Sequence, residues 1–122
     1  MKVLVVDDEK LSRRTLSFYM QKLGYQVFQA ENGQEALQCW RNESPHIVLT
    51  DWNMPGMQGI DLLKAIRADE KLCHLPVLMV TAEAKREQII EAAQAGVNGY
   101  IVKPFTAATL KEKLDKIFER IG

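Results

Sequence analysis

The sequence predicts an α/β fold, a doubly wound parallel sheet with helices on both faces. Short β-rich apolar runs alternate with longer segments whose apolar residues recur at helical spacing, which is the pattern of βα units. Four of the runs also end in polar residues of matched chemistry. Val3 to Val6 ends in Asp7-Asp8, Ile47 to Thr50 in Asp51, Val77 to Val80 in Thr81, and Tyr100 to Val102 in Lys103.

A first helix is expected after Asp8, with Leu16, Tyr19, Met20 and Leu23 on its buried side and Gly24 ending it. Gln26 to Ala30 reads as the second strand. Ala36, Leu37 and Trp40 follow Gly33 on one face of a second helix, and Ser44-Pro45 breaks the pattern before the third strand. After a loop rich in Met, Pro and Gly, the segment Gly59 to Ala68 carries Leu62, Leu63 and Ile66 on a third helical face. Pro76 precedes the fourth strand, where its missing N–H does least harm. A fourth helix is expected over Lys85 to Ala95, closed by Gly96, with Ile90 inward and Ile89 outward beside Tyr100. The last helix starts near Thr106 and repeats Leu110, Leu114, Ile117, Phe118 and Ile121 along one face.

The 122 residues fit one domain, 1–122, large enough to bury a core. The chain has 16 basic and 16 acidic residues, so no global field draws it to nucleic acid or an anionic membrane. Cys39 and Cys73 stand far apart and form no zinc pattern with His46 and His74. Idle thiols suit a reducing compartment. The opening Met1-Lys2, a four-residue apolar run and two aspartates do not resemble a signal peptide or a membrane span, so a cytoplasmic protein is expected.

Ligands of open parallel sheets bind outside the carboxyl ends of the strands, which would gather Asp7, Asp8, Asp51, Thr81 and Lys103. Taken singly, each has an ordinary reading: the aspartates and Thr81 as caps or turn residues, Lys103 as a solvated charge. Together they form a set suited to phosphoryl transfer. Crowded carboxylates repel, and a divalent cation relieves them; magnesium prefers oxygen ligands and is held by one or two carboxylates with phosphate filling another position. Asp51 can then act as a carboxylate nucleophile toward phosphorus, with Lys103 and the Thr81 hydroxyl supporting the phosphoryl oxygens.

Asp7-Asp8, the run Asp51-Trp52-Asn53-Met54-Pro55-Gly56-Met57-Gln58-Gly59, Thr81-Ala82 and Lys103-Pro104-Phe105 together resemble the receiver domain of two-component response regulators. The resemblance extends from end to end. Leu75 to Lys85 and Lys103 to Leu110 are most similar to the single-domain chemotaxis members of that family. It implies a five-stranded, flavodoxin-like sheet in the order 2-1-3-4-5. By the same resemblance Asp51 is the phosphoacceptor for a histidine kinase. Mg²⁺ is bound by Asp8, Asp51 and the backbone carbonyl of Asn53, while Asp7 acts mainly through a metal-bound water. Lys103 contacts the phosphoryl group and its bond to Pro104 is cis. Thr81 and Tyr100 form a switch pair that remodels an output surface including Ile89 and Tyr100. Asn53 and Glu83 tune hydrolysis, and Trp52 is a packing or rim aromatic whose fluorescence should report metal binding.

The implied partners are the kinase, a flagellar motor switch protein and a phosphatase, with a monomeric chain that binds neither nucleic acid nor membrane. By the same resemblance the chain would catalyse only its own phosphoryl transfer and autodephosphorylation, and would not be an enzyme in the usual sense. Glu9-Lys10-Leu11 and Gln58 depart from the chemotaxis pattern, which keeps a phosphate sink or a regulator of a non-motor output as alternatives. A phosphatase with an aspartyl-phosphate intermediate fits less well, because such enzymes carry Asp-x-Asp where these aspartates are adjacent. No phosphate-cradling glycine loop follows any of the apolar runs, and direct DNA binding is not expected.

Overall fold

A computed structural model of the chain describes residues 1–54, 56–82 and 85–121, with side chains through Glu119. Its strands are β1 (Lys2–Val6), β2 (Gln26–Ala30), β3 (Ile47–Thr50), β4 (Val77–Thr81) and β5 (Gly99–Val102). They alternate with α1 (Lys10–Lys22), α2 (Gly33–Glu43), α3 (Gly59–Ala68), α4 (Arg86–Gln94) and α5 (Ala107–Ile121). All pairings are parallel, in the order β2-β1-β3-β4-β5 that the resemblance implied.

Side chains alternate across each strand, so the sheet sorts its apolar residues into two cores. Leu4, Val6, Val48, Val77 and Met79 meet Ala36 and Trp40 of α2, Leu62, Leu63 and Ile66 of α3, and Ala92 of α4. Val3, Val5, Ile47, Leu49, Leu78, Val80 and Ile101 meet Leu16 and Met20 of α1 and Leu110, Leu114 and Ile117 of α5. Burial on both faces is why β1, β3 and β4 read as unbroken apolar runs. The chain winds one way from β1 to β2 and the other way from β3 onward, which opens a crevice at the carboxyl ends of β1 and β3.

Helix ends follow local chemistry. Gly24 and Gly96 adopt φ of +95° and +91° after α1 and α4, the conformation expected of glycines that end helices. Ser44 closes α2 at φ 47°, and the Asn32 side chain accepts from the Glu35 amide at its start. Lys85 and Ala95 flank α4 as cap residues, so that helix is one residue shorter at each end than expected.

Three faces differ in detail from the sequence pattern. In α1, Leu16 and Met20 are buried and Tyr19 and Leu23 partly so, but Arg13 and Ser17 share the buried side. In α5, Phe118 is partly buried and the Ile121 side chain lies outside the described residues. The expectation for Ile90 is overturned: it is 46% exposed, more than Ile89 at 40%. The inward stripe of α4 runs through Gln88, Glu91, Ala92 and Ala95, of which only Ala92 is fully buried. At 100° per residue, Ile89 falls about 110° from the centre of that stripe and Ile90 about 150°. Ile90 therefore points away from the sheet.

Ile90→Ser should change stability by less than about 0.5 kcal/mol, whereas Leu63→Ala, at a fully buried position of the same core face, should cost about 2–5 kcal/mol. Urea denaturation of both variants checks this; a large loss for Ile90→Ser would return that side chain to the core.

Candidate functional site

The ladder that builds the sheet runs one residue past the strands and carries the site residues with it. The Asp7 amide donates to Ala30 O at 3.1 Å, the Asp51 amide to Val6 O at 3.0 Å, and the Lys103 amide to Thr81 O at 2.8 Å. Asp7, Asp51, Thr81 and Lys103 are thus fixed relative to one another by main-chain hydrogen bonds. The close approach of α3 beneath Asp51 needs Gly59: a Cβ there would overlap the Asp51 carbonyl, while the Gly59 amide donates to Trp52 O at 2.8 Å.

Asp7, Asp8 and Asp51 each offer a carboxylate oxygen, all within 4.8 Å of one another. They differ in access: Asp7 is buried, Asp51 half-buried and Asp8 exposed. Every polar group of Asp7 is engaged. Its Oδ1 accepts from the Glu9 amide at 2.9 Å, its Oδ2 from Lys103 Nζ at 2.7 Å, and its carbonyl from Arg13 Nη1 at 2.7 Å. The Lys103 ammonium also reaches Asp51 Oδ2 at 3.5 Å, while Asp51 Oδ1 accepts from the Trp52 amide at 2.7 Å. The Thr81 hydroxyl is hydrogen-bonded to the same carboxylate. Asp8, Asn53, Met54 and Gln58 line the open side.

Burial raises the Asp51 pKa above the ordinary carboxylate range. Lys103 pulls it back, the Asp7 charge pushes it up again, and the bonds from Trp52 and Thr81 lower it; the net direction is upward. Burial pulls the Lys103 ammonium down, but its bonds and charge interactions with Asp7 and Asp51 outweigh this and hold it above its ordinary value. Lys103 therefore stays charged.

One ammonium against three carboxylates leaves an excess of negative charge, and the donors are all oxygen. Both features fit a hard divalent cation such as Mg²⁺, with Asp8 and the open side leaving room for water and a phosphoryl oxygen. Cys39 and Cys73 are free thiols outside this cluster, so it has no soft ligand.

The expected site residues Asp7, Asp8, Asp51, Thr81 and Lys103 converge, and Asn53 sits at the rim. The Lys103-Pro104 bond is cis. Trp52 is only 4% exposed, which makes it a packing rather than a rim aromatic. Tyr100 lies on β5 and Ile89 on α4. Tyr100 is partly buried on the α2–α3–α4 side of the sheet, while Ile89 and Ile90 on α4 and Val102 on β5 are exposed. Glu83 lies outside the described residues. Sequence reasoning missed Gly59 as a spacing requirement and Arg13 as the partner of the Asp7 carbonyl. Arg13 was detectable in principle, since it stands three residues before Leu16 and seven before Met20 and so shares their buried face.

Residues 3–115 match the family model of the response regulator receiver domain. The chain belongs to that family. It is 68% identical over 122 residues to chemotaxis protein CheY-3 of Vibrio cholerae serotype O1, covering 99% of this chain and 94% of the relative. It is 61% identical to chemotaxis protein CheY of Pseudomonas aeruginosa, covering 100% and 99%. The solved structure of Vibrio cholerae CheY4 superposes with a TM-score of 0.89 at 36% identity, over 95% of this chain and 97% of the other. This receiver domain thus has relatives of nearly its own length that are named for chemotaxis. Among its described residues no helix is long and apolar enough to cross a membrane.

The raised Asp51 pKa has a definite sign for stability. A carboxyl that ionises less readily folded than unfolded contributes stability below its unfolded pKa and loses that contribution as pH rises through its folded value. At neutral pH the ionised Asp51 is therefore a net burden, and Asp51→Asn should raise the denaturation midpoint at pH 7. The gain should shrink as pH falls from the raised Asp51 value toward the ordinary carboxylate range. Urea melts across that window read it; an advantage that grows with acidification would contradict the assigned direction.

Proposed function

We propose that the chain is a phosphorylation-controlled signalling switch, acting as one receiver unit over 1–122, in which Asp51 accepts a phosphoryl group from a histidine kinase. The observation that carries this reading is the half-buried Asp51 carboxylate set between Lys103 at 3.5 Å and two further carboxylates. A carboxylate oxygen of Asp51 attacks phosphorus and forms an acyl phosphate as the bond from phosphorus to the donor nitrogen breaks, and the leaving imidazole takes up a proton. Asp8, Asp51 and the Asn53 carbonyl would hold Mg²⁺, and Asp7 would act mainly through a metal-bound water. When bound, the ion supplies charge neutralisation at the phosphoryl oxygens.

The chain's own groups do the positioning. Lys103 moves its favourable charge from the bare carboxylates to the phosphoryl oxygens, and Thr81 donates its hydroxyl to one of them. The shift of Thr81 toward the phosphoryl group vacates space that the Tyr100 ring fills, which changes the surface formed by Ile89, Ile90, Tyr100 and Val102. Hydrolysis of the acyl phosphate by water resets the domain, so the chain catalyses its own modification and no turnover of an external metabolite.

The relatives' names support an output in chemotaxis; on this reading the phosphorylated monomer acts in the cytoplasm on a flagellar motor switch protein, with a phosphatase as a further partner. The motif departures at Glu9-Lys10-Leu11 and Gln58 favour, as the second reading, a sink that drains a shared kinase.

Intact-protein mass spectrometry after incubation with acetyl phosphate and Mg²⁺ tests the mechanism. Wild type should gain one phosphate, and Asp51→Asn or excess chelator should abolish the gain; an equal gain on Asp51→Asn would refute Asp51 as acceptor. Phosphorylation-dependent binding to a motor switch peptide separates the two outputs, since the sink reading requires its absence.

A further inference from the structure

We infer that Arg13 is a positioning residue for the metal site, acting through the main chain of Asp7. Resting on the Mg²⁺ reading above, this inference assigns a role to the one buried cation among the described residues that the proposed chemistry leaves unused. Arg13 is 8% exposed, on the inner face of α1, and its guanidinium spans three partners. Nη1 donates to Asp7 O at 2.7 Å, Nε to Gln29 Oε1 at 3.2 Å, and Nη2 to Glu31 Oε1 at 3.5 Å. Burying so long and strongly solvated a side chain costs free energy unless its donors are used, and three of its nitrogens are.

The bond to Asp7 O matters because that carbonyl belongs to the peptide joining Asp7 to Asp8. The Asp7 amide is tied to Ala30 and its Oδ1 to the Glu9 amide, so the chain is held on both sides of this peptide. Arg13 fixes the remaining freedom, the rotation of the peptide plane, and with it the direction in which Asp8 leaves the backbone. Asp8 is exposed and no described protein hydrogen bond restrains its carboxylate. Its aim toward Asp51 therefore depends on the backbone beneath it. Without Arg13 the Asp7 carbonyl would lose its partner next to a buried carboxylate, and rotation toward water would displace Asp8.

Glu31 stands against the guanidinium and offsets its charge, so the influence on the cleft is geometric more than electrostatic. The distinction has opposite signs. If Arg13 acted as a nearby cation it would repel Mg²⁺, and removing it would tighten binding; if it orients the Asp7-Asp8 peptide, removing it weakens binding. Lysine keeps the charge but lacks the planar fork that serves three acceptors at once.

Mg²⁺ titration of tryptophan fluorescence, with Trp52 adjoining Asp51, reads this independently of phosphorylation. Arg13→Met should weaken Mg²⁺ about tenfold, as loss of outer-shell support does at metal sites, and Arg13→Lys about threefold on the same scale. Urea denaturation of each variant reports folding separately, and the milder Arg13→Lys serves if Arg13→Met does not fold. A folded variant that binds Mg²⁺ as tightly as wild type, or more tightly, overturns the inference even if it is less stable. A wild-type protein that shows no Mg²⁺ response in fluorescence or calorimetry would overturn the underlying metal reading instead.

Discussion

Crowded negative charge at the carboxyl edge of the sheet is the constraint on which the rest of this structure depends. Three carboxylates within 4.8 Å of one another repel, and the fold brings Lys103 from the end of β5 to bridge two of them at 2.7 and 3.5 Å. That bridge links the ends of β1, β3 and β5, so the same contacts that make the cleft tolerable also close the sheet's upper edge. They remain incomplete as neutralisation. A single ammonium leaves room for a divalent cation and a reason to bind one, and the phosphoryl chemistry proposed for Asp51 uses that residual imbalance.

The arrangement also separates rigid from responsive parts. Site residues are spliced into the main-chain ladder, whereas α4 contributes only Ala92 to the core and relies on its ends for position. Its carboxyl end is well anchored: Arg67 donates to Leu75 O at 2.6 Å, to Asn98 Oδ1 at 2.7 Å and to Gly96 O at 2.8 Å. Its amino end follows β4 and Thr81, on the side of Asp51. A helix fixed at the far end and lightly packed along its length suits a surface that responds to a change at Thr81.

Much of this was legible in the sequence because the decisive signals were local. Apolar runs buried on both faces, the Asp7-Asp8 pair, and Lys103 after Val102 each carry their meaning within a few residues, and the parallel topology converts strand ends into neighbours. The errors came where tertiary packing decides. Ile89 and Ile90 are both strong apolar signals, yet the stripe of α4 that meets the sheet runs through Gln88, Glu91, Ala92 and Ala95, so small and polar residues face inward. Arg13 was passed over for the converse reason: a charged residue on an apolar face reads as an exception until its acceptors, supplied by Asp7, Gln29 and Glu31 on other elements, are seen. Gly59 has no pattern of its own; only the proximity of the Asp51 carbonyl explains it.

A crystal structure of the protein with Mg²⁺ and beryllium fluoride, a stable mimic of the phosphoryl group, tests the central claim most directly. The account predicts the fluoride adduct on an Asp51 carboxylate oxygen, Lys103 withdrawn from Asp7 to contact it, the Thr81 hydroxyl donating to it, and the metal held by Asp8, Asp51 and the Asn53 carbonyl. An adduct on another residue, or Lys103 still paired with Asp7 at its present distance while Asp51 carries the adduct, would contradict it.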